Sequence, residues 1–373
     1  MNILFKGPYP QRDGWGQASR DFIKALSQTG NSVKITPIIM ANLIGDGIPE
    51  EIKLLEDTEF PHIDVFIQHV LPAFMEKQNS SPNVGLCATE SNNLQFTGWI
   101  EKINEMDALL CWTEQEKANL LNSGVKIPIT PIPQPMDTQF FDSVTDTFDD
   151  DMMKDNFVFY FVGEWNERKN LNDLILAYWR EFDKEEKARL VLKISAGGLS
   201  PDVLGKKFLT HIERLKQTYR LYNKAHYYPE VMVVSEYISN EDMVRLHRSA
   251  NCFVTTSFGE ATCIPLLNAL YLNKNVISTS CIGAVDKEFD IIEVESREAP
   301  CMCGNPPLPY LYSGWETWRQ IDVIDLQRKM REVYDGTRKC NNSPAKVRSK
   351  YSYEAVAQKL TNFLQKLHIP KVR

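Results

Sequence analysis

No apolar run in this chain approaches the roughly 18 residues that a membrane-spanning helix needs. The opening stretch, Met1 to Pro10, also lacks the charged start and long apolar core of a secretory leader, so a cytoplasmic protein is expected. The eight cysteines are scattered without a C-x-x-C pair, and the close pair Cys301 and Cys303 has no second pair or nearby histidine. Reduced thiols rather than zinc are expected. A net charge of −7 is not that of a general nucleic-acid binder. The early glycines at 7, 14 and 16 do not have G-x-G-x-x-G spacing, which disfavours a dinucleotide cofactor and with it a dehydrogenase. No carboxylate pair stands on a strand-end loop in a form suited to Mg²⁺, and Asp149-Asp150-Asp151 reads as a solvated linker, so no metal and no cofactor are expected. Internal repeats and low-complexity segments are lacking too.

What the chain does have is alternation. Its 373 residues, 43% hydrophobic and 24% charged, have the composition of a globular protein and the length of two domains. Asn2 to Lys6 reads as a strand, Gly14-Trp15-Gly16 as a loop, Gln17 to Gln28 as a helix and Val33 to Ile38 as the next strand. That is a Rossmann-like opening. Strands follow at Ile63 to Gln68, ending at His69, at Val84 to Ala88, ending before Glu90, and at Ala108 to Thr113. Ligands gather at the carboxyl ends of such strands, so His69 and Glu90 are expected to face a cleft. Four prolines between Pro128 and Pro135 predict a stiff connector without regular structure. A first domain over 1–142 completed by a C-terminal helix at 352–373, a linker at 143–155 and a second domain over 156–351 are expected.

The second domain opens on the buried strand Phe157 to Val162, followed by a turn with Arg168 and Lys169 and by a helix from Leu171. Cations at a helix start oppose its dipole, so an anion between them is expected. A fork and a point charge there suit a diphosphate. Ser239 with Asp242 forms a capping box for a short helix. The most informative stretch is Thr255 to Thr279. The apolar run Cys252 to Val254 reads as the end of a buried strand that breaks into Ser257-Phe258-Gly259-Glu260, Pro265 restarts the chain as a helix, and Val276-Ile277 begins another strand. A carboxylate loop facing a helix N-terminus suits an anionic ligand rich in hydroxyls. Residues 299–318 have no readable period, and Ile282-Gly283-Ala284 reads as a further loop.

The pattern S-x-x-E, apolar-Pro-apolar-apolar, then a Val/Ile strand resembles the donor-site signature of the GT4 family of retaining glycosyltransferases, whose fold is GT-B. The resemblance runs in order through most of the chain, strongest from Asn156 to Asp286. It implies an α/β GT-B fold of two Rossmann-like β/α/β domains facing across a cleft, with the last helix crossing back to the first domain. It also implies a metal-independent, retaining transfer from a nucleoside diphosphate sugar. By resemblance Glu260, Glu90 and His69 are the catalytic group. Gly14 and Gly16, Arg168 and Lys169, Tyr237 and Ile238, and the run Ala261, Thr262, Cys263 and Ile264 are the donor-binding residues. The chain departs from the family in several places, one being Ala261-Thr262-Cys263 in place of the usual Gly-Phe-Gly. Asn268 stands where a second glutamate is usual, Glu164 where an arginine is usual, and Glu90 where a histidine is common. The acceptor is left open among glycan, lipid, small molecule, protein and modified nucleic acid. A sugar-nucleotide epimerase or phosphorylase on the same fold, or a non-catalytic nucleotide-sugar-binding protein, are the alternatives.

Overall fold

The computed structural model describes residues 1–39, 48–148, 151–224, 227–280, 285, 287–301, 312 and 314–367. Runs such as Phe157 to Phe161 are apolar on both alternating faces, and a strand of that kind is stable only inside a parallel sheet covered on both sides. Two such sheets form. The first contains β1 (Asn2–Gly7), β2 (Ser32–Pro37), β3 (Val65–His69), β4 (Asn83–Leu86), β5 (Ala108–Cys111) and β6 (Ile129–Pro131), in the order β2-β1-β3-β4-β5-β6. The second contains β7 (Phe157–Glu164), β8 (Ala188–Ser195), β9 (Val231–Val234), β10 (Cys252–Thr255), β11 (Asn275–Thr279) and β12 (Ile292–Val294), in the order β12-β11-β10-β7-β8-β9. All the pairings within these two sheets are parallel.

Each order reverses once, between β1 and β3 in the first sheet and between β7 and β10 in the second. At such a point the two following loops diverge to opposite faces, which opens a crevice beyond the carboxyl ends of the strands. The two crevices set where a ligand can enter.

The GT-B architecture read from the sequence is present, and three local expectations are corrected. The first helix begins at Gly14, not Gln17, because the Asp13 carboxylate accepts the Gly16 N–H at 2.9 Å and caps it. Gly14-Trp15-Gly16 is therefore a helical turn rather than a loop. The proline-rich segment is not wholly irregular, since Ile129–Pro131 pairs with β5 as the outermost strand, where a proline costs no hydrogen bond on the open side. The region without readable period contains an antiparallel ribbon of β13 (Ser296–Pro300) and β14 (Thr317–Ile321), with residues 302–311 and 313 outside the described set. Ile282-Gly283-Ala284 and Asp149-Asp150 also lie outside the described residues.

The helix Tyr353–Leu367 does cross back. Its Val356, Leu360, Phe363 and Leu364 are buried in the same cluster as Ile3, Phe22 and Leu26 of the first domain. The Tyr353 hydroxyl donates to the buried Asp21 carboxylate at 2.7 Å, which ties this helix to Gly14–Ser27. The chain therefore runs between the domains twice, at Met136 and at Ser352, and those two residues pair as an isolated bridge.

Candidate active site

The two loops that leave the reversal point of the second sheet are bonded to each other. From β7 the chain enters the 3₁₀ turn Glu167–Lys169, and from β10 it enters the loop to the helix Ile264–Tyr271. The turn is held by its own cap, with Asn166 accepting from the Lys169 N–H at 3.2 Å, and by Asn170, which closes it at φ 51°. Thr256 then donates its hydroxyl to the Asn170 carbonyl at 2.9 Å and Phe258 its N–H to the Arg168 carbonyl at 2.8 Å. Two loops 90 residues apart in sequence are thus fixed against each other by backbone and side chain.

This brings Glu260 between both cations. Its carboxylate lies 2.5 Å from the Lys169 ammonium and 3.1 Å from the Arg168 guanidinium, and it is only 3% exposed. Burial by itself raises a carboxyl pKa, but Lys169 and Arg168, with Ser257, more than offset it and hold Glu260 at about 2. Arg168 is a mostly buried charge, its side chain 15% exposed, whose desolvation is outweighed by Glu90 and Glu260, so it stays protonated. Its Nη1 also donates to the Gly259 carbonyl at 2.6 Å.

The fourth charge comes from the first domain. Glu90 follows β4 and reaches across to Arg168 at 2.9 Å, while the Tyr312 hydroxyl donates to its other oxygen at 2.9 Å. The residue before it is fixed from behind. Glu116, fully buried, accepts from the Thr89 N–H at 2.8 Å, the Thr89 hydroxyl at 3.0 Å and the Trp112 N–H at 2.8 Å. Burial pushes Glu116 up to about 7 in spite of these bonds. Glu116 was not foreseen, although the T-x-x-E spacing from Thr113, whose side chain caps the helix Glu114–Asn122, was a readable sign. The ribbon was missed as well, and it joins the domains here: Asn92 and Thr317 exchange backbone bonds, and Arg319 donates its N–H to the Phe258 carbonyl.

Other expected site residues are placed differently. His69 ends β3 as foreseen but does not open to the cleft, being 1% exposed under the stacked ring of Trp15, with Nδ1 2.7 Å from the Ser19 hydroxyl oxygen. Burial draws its pKa down to about 3, so it is neutral. Gly16 has a steric reason to be glycine, because a Cβ there would meet the Gln11 carbonyl oxygen at 1.9 Å, whereas Gly14 faces open space. Ala261 is buried in the first-domain cluster and Ile264 packs on it, so these two join the domains. Cys263 is buried in a second-domain cluster, which pushes its thiol to about 12. Thr262 is half-buried beside them. Tyr237, 55% exposed after β9, lies under the Arg12 guanidinium at 5.4 Å, a contact from one domain to the other, and Ile238 packs below it. Glu164 accepts from the Gly197 N–H at 3.2 Å and supplies no cation. Asn268 is buried on its helix.

Arg168, Lys169 and Glu260 all lie in residues 145–289, which match the family model described as Glycosyl transferases group 1. This stretch is a group 1 glycosyltransferase domain. No curated protein matches the chain. Among solved structures, the glycosyltransferase is similar to sucrose-phosphate synthase from Thermosynechococcus elongatus, with a TM-score of 0.67 at 16% identity over 98% of this chain and 99% of that one. It is similar to HepE of Anabaena in complex with UDP and glucose, with a TM-score of 0.64 at 12% identity over 98% and 100% of the two chains. The trehalose-6-phosphate synthase OtsA gives a TM-score of 0.64 at 11% identity over 98% and 99%. These likenesses establish the GT-B fold of the glycosyltransferase along nearly its whole length. Among its described residues no helix is long and apolar enough to cross a membrane, and no cluster of metal-ligating side chains occurs.

Proposed function

We infer that this glycosyltransferase moves a sugar from a nucleoside diphosphate sugar to an acceptor with retention of configuration and without a metal ion. The observation that carries the reading is the pairing of Arg168 and Lys169 around Glu260 at the strand-order reversal of the second sheet. When the glycosidic bond to the diphosphate breaks, negative charge grows on the leaving oxygens. Two preorganised cations stabilise that charge without reorganising, which is the role a divalent ion plays in sites that bind one. The start of the Ile264–Tyr271 helix points partial positive charge the same way. Glu260 keeps the cations in place and offers acceptor oxygens toward sugar hydroxyls.

HepE binds UDP and glucose in its complex, which supports a nucleoside diphosphate sugar as the donor here. The six described cysteines are free thiols, in keeping with a reducing, cytoplasmic setting. The test is a thermal-shift panel of UDP-, GDP-, ADP- and TDP-sugars, in which the true donor at about 100 times Kd adds about 2.7 kcal/mol of stability. Release of nucleoside diphosphate with an acceptor, undiminished by EDTA, then separates transfer from epimerisation and from binding without turnover. A panel with no shift for any of the four overturns the reading.

A further inference from the structure

The four charges at the crevice balance without a donor. Arg168 and Lys169 bring two positive charges and Glu90 and Glu260 two negative ones, joined in a chain of ion pairs that runs Glu90–Arg168–Glu260–Lys169. A buried guanidinium left unpaired is strongly unfavourable, and Glu260 divides its two oxygens between the two cations. Glu90 therefore supplies the second negative charge. A diphosphate brings that charge itself, so donor and Glu90 compete for Arg168.

We propose that Glu90 is a stand-in anion, which occupies Arg168 in the free enzyme and is displaced from it by the donor diphosphate, so that this first-domain carboxylate sets donor affinity. The inference rests on the reading of Arg168 and Lys169 as the diphosphate site.

The geometry says which partner yields. Glu260 is closed in, with its side chain 4% exposed and both oxygens bonded to cations. Glu90 has a side chain 27% exposed and bonds one end of the guanidinium, Nη2, while Nη1 is committed to Gly259 and Glu260. The backbone under Glu90 does not have the same freedom. Glu116 holds Thr89, the Asn92–Thr317 bridge holds the residues beyond, and Gly259 lies directly against the Glu90 carbonyl. Displacement thus requires the side chain to rotate off Arg168 while the loop stays docked. Tyr312 donates its hydroxyl to the oxygen that does not face Arg168, so displacement has to break this bond or carry it along.

The test measures affinities of UDP, GDP, ADP and TDP by calorimetry for the wild-type enzyme, Glu90→Gln, Glu90→Ala, Arg168→Met, and the Glu90→Gln/Arg168→Met double variant. Removing the competitor is expected to tighten nucleoside diphosphate binding about tenfold or more, the scale of one charge-assisted contact. Both Glu90 variants are expected to melt below wild type when free and to close that gap when saturated. In the Arg168→Met background Glu90→Gln is expected to have little effect. Affinity unchanged or weakened in both Glu90 variants overturns the proposal. So does equal tightening in the Arg168→Met background, since Glu90 then acts through the general field and not by occupying Arg168. If none of the four nucleotides binds wild type or the variants, the donor-site reading itself falls; if wild type binds and only the Glu90 variants behave otherwise than stated, the reading stands and the stand-in role alone fails.

Discussion

A Cβ on Gly259 would stand 1.8 Å from the carbonyl oxygen of Glu90, so the main chains of the two domains touch at the charge cluster with no room for a side chain. This contact fixes how far Glu90 and Arg168 are apart. Gly259→Ala is expected to push the loops apart, costing about 1–3 kcal/mol in the manner of an overpacked site. It is also expected to lower transfer more than a mutation of equal stability cost elsewhere. Urea unfolding and initial-rate assays on the same preparation check this, and a variant with wild-type stability and turnover would show that the loops part freely.

The cations are expected to act on the diphosphate and not on the nucleoside. Lys169→Met removes one charge-assisted contact, worth about 1.5–3 kcal/mol of diphosphate affinity. Calorimetry with UDP against uridine, or the matching pair for the nucleotide that binds, measures the difference. Equal losses for both ligands would place the diphosphate elsewhere.

Much of this site could be read in the sequence, because strand-loop-helix punctuation fixes where Arg168, Lys169 and Glu260 fall. Pro265 near the helix start and the apolar β10 run are local signals. Contacts between domains are not local, and that is where the reading stopped short. That Glu90 would reach Arg168, or that His69 would lie under Trp15, depends on how two crevices face each other. The ribbon β13–β14 was invisible for a different reason. Its strands, Ser-Arg-Glu-Ala-Pro and Thr-Trp-Arg-Gln-Ile, are short and mostly polar, so neither has an apolar period to detect. Glu116 carried a signal in its spacing from Thr113, but its use as an anchor for Thr89 is a tertiary fact.

Glu116 gives a prediction about pH. Its pKa is raised by burial from 4.5 to about 7 in the folded enzyme, so the native state holds its proton where the unfolded chain has released it. A raised folded pKa contributes stability that is full below about pH 4.5 and is lost as pH rises through 7. Asp21, raised by burial to about 6, acts in the same direction. Glu116→Gln removes the ionisation and keeps one acceptor oxygen, enough for the Thr89 N–H or the Trp112 N–H but not both, so its stability is lower at every pH and the comparison rests on the slope. The variant is expected to lose less stability than wild type between pH 5 and 8 in urea titrations. Parallel wild-type and variant curves over that range would refute this role.

Glu260 joins stability and chemistry in one group. Its folded pKa lies near 2, below the ordinary 4.5, because Lys169 and Arg168 outweigh its burial. A depressed pKa contributes stability present above about pH 4.5 and lost as pH falls through about 2, so the wild-type enzyme is expected to weaken over that acid range. Glu260→Gln removes the charge from a side chain that is 4% exposed, leaving Arg168 with Glu90 and taking from Lys169 its carboxylate partner, both cations being mostly buried. Breaking a buried pair in this way costs about 3–5 kcal/mol, so the variant is expected to melt lower at pH 7 and to show a flatter decline below pH 4.5. Its kcat/KM is expected to fall by about 10²–10³ on loss of one preorganised electrostatic contact. Nucleoside diphosphate affinity moves the other way or holds, because the local charge becomes more positive and the ligand lacks the sugar. Calorimetry and initial rates on folded variant at reduced temperature separate these effects. Nucleotide affinity and turnover lost in equal measure would make Glu260 a strut for the two cations and nothing more.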